Sequence, residues 1–126
     1  MKATIHEDSV KVESGQSLFE VAKVIRDNKV RHAYVVEKNK LVGVVGGIDI
    51  INKAVAEGKD VKLLKAKDIM NDVKFVTSGQ KIEYAYAIMR NFNTFTCPVV
   101  NEHKELIGYY KFAEACEAIN NMIESN

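Results

Sequence analysis

Two places in this chain put a carboxylate just behind a strand-to-helix corner. The first is Leu41-Val42-Gly43-Val44-Val45-Gly46-Gly47-Ile48-Asp49, where a short apolar, β-branched run breaks at a glycine pair and a helical pattern follows with an acid in its first turn. The second is Leu106-Ile107-Gly108-Tyr109-Tyr110-Lys111-Phe112-Ala113-Glu114. Such a corner turns backbone N–H groups and a carboxylate toward one space beyond a strand end, a setting that suits a small polar ligand. Catalysis has no comparable residues: no nucleophile with a base, no paired carboxylates and no metal-ligand cluster stands out. His6, His32 and His103 share no ligand spacing. Cys97 and Cys116, on a strand and on an apolar helix stripe, read as small buried hydrophobes. Gly46-Gly47 matches neither the dinucleotide fingerprint nor the Walker loop, and by itself it is a tight turn.

The elements that must position these corners fit a short chain. At 126 residues the protein is one compact unit or two very small ones fused face to face. A hydrophobic fraction of 47% with 28% charged residues is that of a folding globular chain. The formal charge of +1 supplies no overall field for nucleic acid or an anionic membrane. No apolar run approaches a membrane span of roughly 18 residues, residues 1–8 lack a signal-peptide core, and two cysteines make no disulfide scaffold. The expectation is a cytoplasmic protein.

An internal repeat organises the chain. Ser14-Gly15-Gln16 recurs as Ser78-Gly79-Gln80, an offset of 64 residues, at which Ile5 meets Ile69, Val12 meets Val76 and Val35-Val36 meets Val99-Val100. One extra residue in the second hairpin then sets Leu41 against Leu106 and Gly43 against Gly108. In the first copy Val10 and Val12 alternate as a short strand, and Ser17-Leu18-Phe19-Glu20 has the form of a capping box. Leu18, Val21, Ala22 and Ile25 then share a helix face. Two strands flank the polar turn Glu37-Lys38-Asn39-Lys40, and a second helix from about Ile48 carries Ile48, Ile51 and Val55 on one face, with Gly58 as its stop. The second copy repeats this with Ile82, Ala85, Tyr86 and Met89 on its first helix and Phe112, Cys116, Ile119 and Ile123 on its last. The pattern predicts an α/β (α+β-like) fold of two β-α-β-β-α units: repeat 1 over 1–59, a surface-packed linker over 60–67 and repeat 2 over 68–126.

Two such copies, with Asp68-Ile69-Met70 before the second, Pro98-Val99-Val100 within it and Gly43-Val44-Val45-Gly46-Gly47-Ile48-Asp49 closing the first, resemble a tandem CBS-domain pair, or Bateman module. The resemblance covers nearly the whole chain and implies a stand-alone regulatory pair, packed with pseudo-two-fold symmetry, whose two clefts hold an adenosyl ligand such as AMP, ADP, ATP, NAD or S-adenosylmethionine. The closing motif of the family carries a Ser or Thr and then an Asp that accepts from both ribose hydroxyls, whose adjacent donors match a carboxylate's two oxygens. Asp49 stands at that Asp position and Gly46 at the hydroxyl position; in the second copy Glu114 and Lys111 stand there. By the same resemblance, Gly46 and Asp49 face Ile69, Lys74, Thr94, Phe95, Thr96 and Pro98 in the nucleoside cleft. A second, weaker cleft takes Ile5, Val10, Val30, Arg31, His32, Lys111 and Glu114, with its cations suited to an anion.

The family also forms flat dimers through its helices, which implies a homodimer with Ile50, Ala54, Ala115 and Ile119 as contacts, and a regulated protein partner. Taken alone, Asp49 is also explained as an acid complementing a helix dipole, and Arg31-His32 as a solvated turn. Two further readings stay open: a nucleic-acid binder using the lysines of 60–67, and a purely structural dimerisation module.

Overall fold

The computed structural model describes residues 3–124. In chain order these form β1 (Lys11–Glu13), α1 (Leu18–Asn28), β2 (His32–Glu37), β3 (Lys40–Gly46), α2 (Gly47–Ile50) running into a π-helical turn (Ile51–Val55), and α3 (Ala66–Ile69). The second half gives β4 (Val76–Thr77), α4 (Ile82–Phe92), β5 (Thr96–Val100), β6 (Leu106–Lys111) and α5 (Phe112–Glu124). Each half holds one three-stranded sheet, β1-β2-β3 and β4-β5-β6. The outer strand runs parallel to the middle one, Val12 opposite Val35 and Val76 opposite Val99, and the middle strand pairs antiparallel with the third. This is the mixed α+β architecture that the repeat predicts.

Local chemistry sets these boundaries. The Ser17 hydroxyl accepts the Glu20 N–H at 3.2 Å, so the serine of the predicted box caps α1 where expected, while the Glu20 carboxylate pairs with Lys23 at 3.1 Å. Lys29 at φ 55° and Asn93 at φ 54° end α1 and α4 in the left-handed conformation, where Asn is the better tolerated. Lys38 and Asn39, at φ 51° and 66°, give the first hairpin its tight two-residue turn, whose twist matches that of the flanking strands. The segment 60–67 is fixed by its backbone. Leu64 and Val61 carbonyls accept from the Leu18 and Phe19 N–H groups, which the first turn of α1 leaves without intrahelical partners.

Packing divides the chain into two compact units: Ser9–Val73, and Lys74 onward together with the residues up to Asp8. Leu18, Val21, Val35, Val45 and Ile69 centre the first core; Val76, Ala85, Met89, Cys97 and Val99 centre the second. The first helix of each copy buries the face that its spacing predicts. The second helix does not. Ile50 and Ala54 are buried, whereas Ile48, Ile51 and Val55 are 63%, 54% and 60% exposed. Opposite Asp49, Asn52 and Lys53 the apolar residues cover a broad arc, so periodicity cannot choose between its two stripes, and the one with Ile50 and Ala54 goes to the core. Ala115 is likewise fully buried and Ile123 is exposed. Ile50, Ala54 and Ala115 are therefore core residues and not a surface that a second copy could meet.

Segments preceding each outer strand add a short antiparallel bridge to the third strand of their unit: Asn71 to Val44, and His6 to Tyr109. Close approach requires glycine here. A Cβ on Gly108 would collide with the His6 carbonyl, and one on Gly43 would lie 2.7 Å from the Met70 sulfur. The bridges make His6 the counterpart of Asn71, one residue out of step with the offset of 64 that joins Val12 to Val76.

Candidate ligand-binding site

At the first corner, β3 ends at Gly46 and α2 begins at Gly47. The Gly46 N–H donates to Asp49 Oδ2 at 2.7 Å, which fixes the side chain across the first helical turn. Asp49 Oδ1 has the Lys53 ammonium at 3.8 Å, near enough for attraction and too long for a hydrogen bond. Lys53 donates instead to the Ile69 carbonyl at 3.0 Å and to Asn71 Oδ1 at 2.7 Å. The π-helical turn that carries Lys53 lies immediately behind Asp49, and such turns recur at functional sites. Sequence reasoning missed Lys53 and Asn71. The available signal was the i,i+4 spacing of Asp49 and Lys53 on one helix face.

Arg31 and His32 stand beside this corner. The Gly47 N–H donates to the Arg31 carbonyl at 3.0 Å, and His32 pairs with Gly46 across the sheet. The antiparallel β2-β3 pairing dictates this, because the start of one strand must meet the end of the other. Within the unit, Arg31 and His32 thus accompany Gly46 and Asp49, although the resemblance groups them with Glu114. Partial burial holds the His32 imidazolium below its ordinary range. Ile69 closes α3 and is buried in the same core, Val10 lends its carbonyl to the Tyr34 N–H, and Val30 is partly exposed before β2.

The second corner repeats the backbone and changes the side chains. The Phe112 N–H donates to the Phe95 carbonyl at 2.8 Å, the bond that Gly47 makes to Arg31, and Thr96 pairs with Lys111. Thr94, Phe95 and Lys111 are exposed, Thr96 is half-buried and Pro98 is buried opposite Tyr109. Lys74 is exposed, with its ammonium 5.7 Å from the Phe92 ring. Glu114 does not turn back on its own helix. His6 Nε2 lies 2.9 Å from one of its oxygens and 3.2 Å from the other, and an ionised carboxylate only accepts, so Nε2 carries the proton. Ile5, half-buried, precedes this histidine. Tyr109 donates to Asp8 at 2.9 Å; that bond lowers the Asp8 carboxyl below the usual range, while burial and then Asp8 itself raise the Tyr109 phenol.

Burial pushes the Cys97 thiol up to about 12, which leaves no thiolate for nucleophilic chemistry at neutral pH. Among the described residues, no group of three or more His, Cys, Asp or Glu could hold a metal ion, and no helix is long and apolar enough to cross a membrane. What the first corner offers is a fixed carboxylate with a neighbouring cation, the chemistry of hydroxyl and anion recognition.

Comparison with known proteins places this geometry. The CBS domain model matches residues 3–56 and 66–121, so the chain belongs to the CBS-domain family and carries two copies of the domain. A CBS domain protein from Pyrobaculum aerophilum, solved in complex with AMP, is 27% identical with a TM-score of 0.77, the match covering 94% of this chain and 92% of that one. The cytosolic domain of the Mg2+ channel MgtE, solved in complex with ATP, is 23% identical with a TM-score of 0.77, covering 90% of this chain and 46% of that one. A homoserine O-acetyltransferase from Methanobrevibacter ruminantium is 37% identical over 93 residues, which are 72% of this chain and 18% of that protein. The chain thus spans under a fifth of that curated relative's length.

Proposed function

We propose that this chain is a regulatory ligand-sensing module that binds an adenine nucleotide or another adenosyl ligand at the Asp49 corner and catalyses no reaction. The observation that carries the reading is the Asp49 carboxylate. It is held by the Gly46 N–H at 2.7 Å on the first turn behind a strand, with Lys53 3.8 Å from its second oxygen. Two hydroxyls of a ribose suit that carboxylate edge, and Arg31 and Lys53 supply cations for a phosphate. The Pyrobaculum relative's complex with AMP supports an adenosyl ligand. Binding in the cytoplasm would alter contacts with a regulated protein or with a second copy. The exposed stripe of Ile48, Ile51 and Val55 is the surface proposed for a homodimer.

Mass action supplies the test. A ligand that binds only the folded chain stabilises it by about 2.7 kcal/mol at a hundredfold excess over its dissociation constant. A thermal-shift screen of AMP, ADP, ATP, NAD and S-adenosylmethionine should raise the melting temperature with at least one of them. A flat response to all five at millimolar concentration contradicts the proposal and favours a purely structural module.

A further inference from the structure

The geometry points to His6 as the built-in occupant of the Glu114 corner: the chain's own imidazole takes the carboxylate edge that a ribose would need, leaving one nucleoside site per chain. This rests on reading the Asp49 corner as the nucleoside site. His6 Nε2 lies 2.9 and 3.2 Å from the two Glu114 oxygens, so a single donor covers the edge on which a pair of adjacent hydroxyls would each need one oxygen. His6 is held there from three sides. Its backbone exchanges two hydrogen bonds of 2.9 Å with Tyr109, its ring stacks on the Tyr109 ring at 5.3 Å and 28°, and the Tyr109 hydroxyl ties the following turn through Asp8. Gly108 supplies the room, since a Cβ there would strike the His6 carbonyl.

The Asp49 corner shows what differs. Asn71, the counterpart of His6, spends its side-chain oxygen on Lys53 at 2.7 Å, and the nearest cation to Asp49 Oδ1 stays at 3.8 Å. A longer acid and a longer donor close the second corner; a shorter pair leaves the first with an unsaturated carboxylate edge. His6 is thus the residue that decides specificity between the two corners.

Calorimetry with AMP on the full chain tests this in an Asp49→Ala background. His6→Asn, which copies the residue of the first corner, should restore about one AMP per chain and bind at least tenfold more tightly than Asp49→Ala alone. His6→Ala should do the same if the asparagine perturbs folding. His6→Gln keeps a donor of similar reach and should stay closed, and Glu114→Gln added to His6→Asn should remove the gain. A folded His6→Asn/Asp49→Ala chain with no gain overturns the inference, as does a gain that survives Glu114→Gln. If the wild-type chain binds no AMP, the Asp49 corner is not an AMP site, and it fails as a nucleoside site only if ADP, ATP, NAD and S-adenosylmethionine are silent too. His6→Asn against wild type then decides the inference: new binding lost on Glu114→Gln supports it, and silence overturns it.

Discussion

The two corners share a backbone and part company at their side chains. In both, a helix N–H returns to the carbonyl before the middle strand, Gly47 to Arg31 at 3.0 Å and Phe112 to Phe95 at 2.8 Å. Yet Asp49 caps its own turn, whereas Glu114 reaches out to an imidazole from the leading segment. One methylene separates them. The difference teaches that a duplicated frame can keep its hydrogen-bonded geometry while the partner of a carboxylate is reset by side-chain length and by what the neighbouring segment brings to it.

The largest effect expected from the comparison lies where the first unit is tied and its counterpart is looser. Leu18 is fully buried beneath the 60–67 segment, while Ile82, one offset later, is only partly buried. Leu18→Ala should cost about 2–5 kcal/mol in denaturant unfolding and Ile82→Ala clearly less. Equal losses would show that the segment adds nothing to the packing of α1. Smaller effects come from the two glycines under the leading segments. Gly108→Ala meets the His6 backbone head-on and should cost about 1–3 kcal/mol, whereas Gly43→Ala meets chiefly the Met70 side chain, with the Asn71 carbonyl farther off at 3.0 Å, and should cost less. A reversed order would contradict the close approach of His6 to β6.

The smallest effect is a pH dependence confined to one unit. Burial lowers the folded-state titration of His32, so the unfolded chain takes up the proton more readily and acid favours unfolding. The contribution of neutral His32 is fully present above about 6.5 and is lost as the pH falls below that value. Wild type should therefore lose melting temperature between pH 7.5 and 5.5 more steeply than His32→Gln. Thr96, its counterpart in the other unit, does not titrate, and Thr96→Val should leave the slope unchanged. Parallel profiles for wild type and His32→Gln would remove His32 as the cause.

Much of this was legible in the residues. The repeat gave both sheets, the serine cap gave α1, and the glycine pair with Asp49 gave the first corner, because each signal is local. What escaped depends on choices between equals or on distant segments. The second helix carries apolar residues on two stripes, so only packing reveals that Ile50 and Ala54 go inward. His6 lies 108 residues from Glu114, and nothing in its sequence neighbourhood marks that pairing. That Arg31 and His32 also stand beside Gly46 within their own unit is a plain consequence of antiparallel pairing, since the strand start beside Gly46 is that of β2 itself.

The central claim is that the corners are unequal, with Asp49 the nucleoside carboxylate. Calorimetric titration of wild type, Asp49→Asn and Glu114→Gln with the adenine nucleotide giving the largest thermal shift tests it directly. Asn keeps an oxygen for the Gly46 N–H and removes the charge, so the fold is retained while the acceptor is weakened. The account predicts about one ligand per chain in wild type, a loss of roughly 1.5–3 kcal/mol in binding for Asp49→Asn, and little change for Glu114→Gln. Two equivalent sites per chain, or binding that survives Asp49→Asn and vanishes with Glu114→Gln, would contradict it.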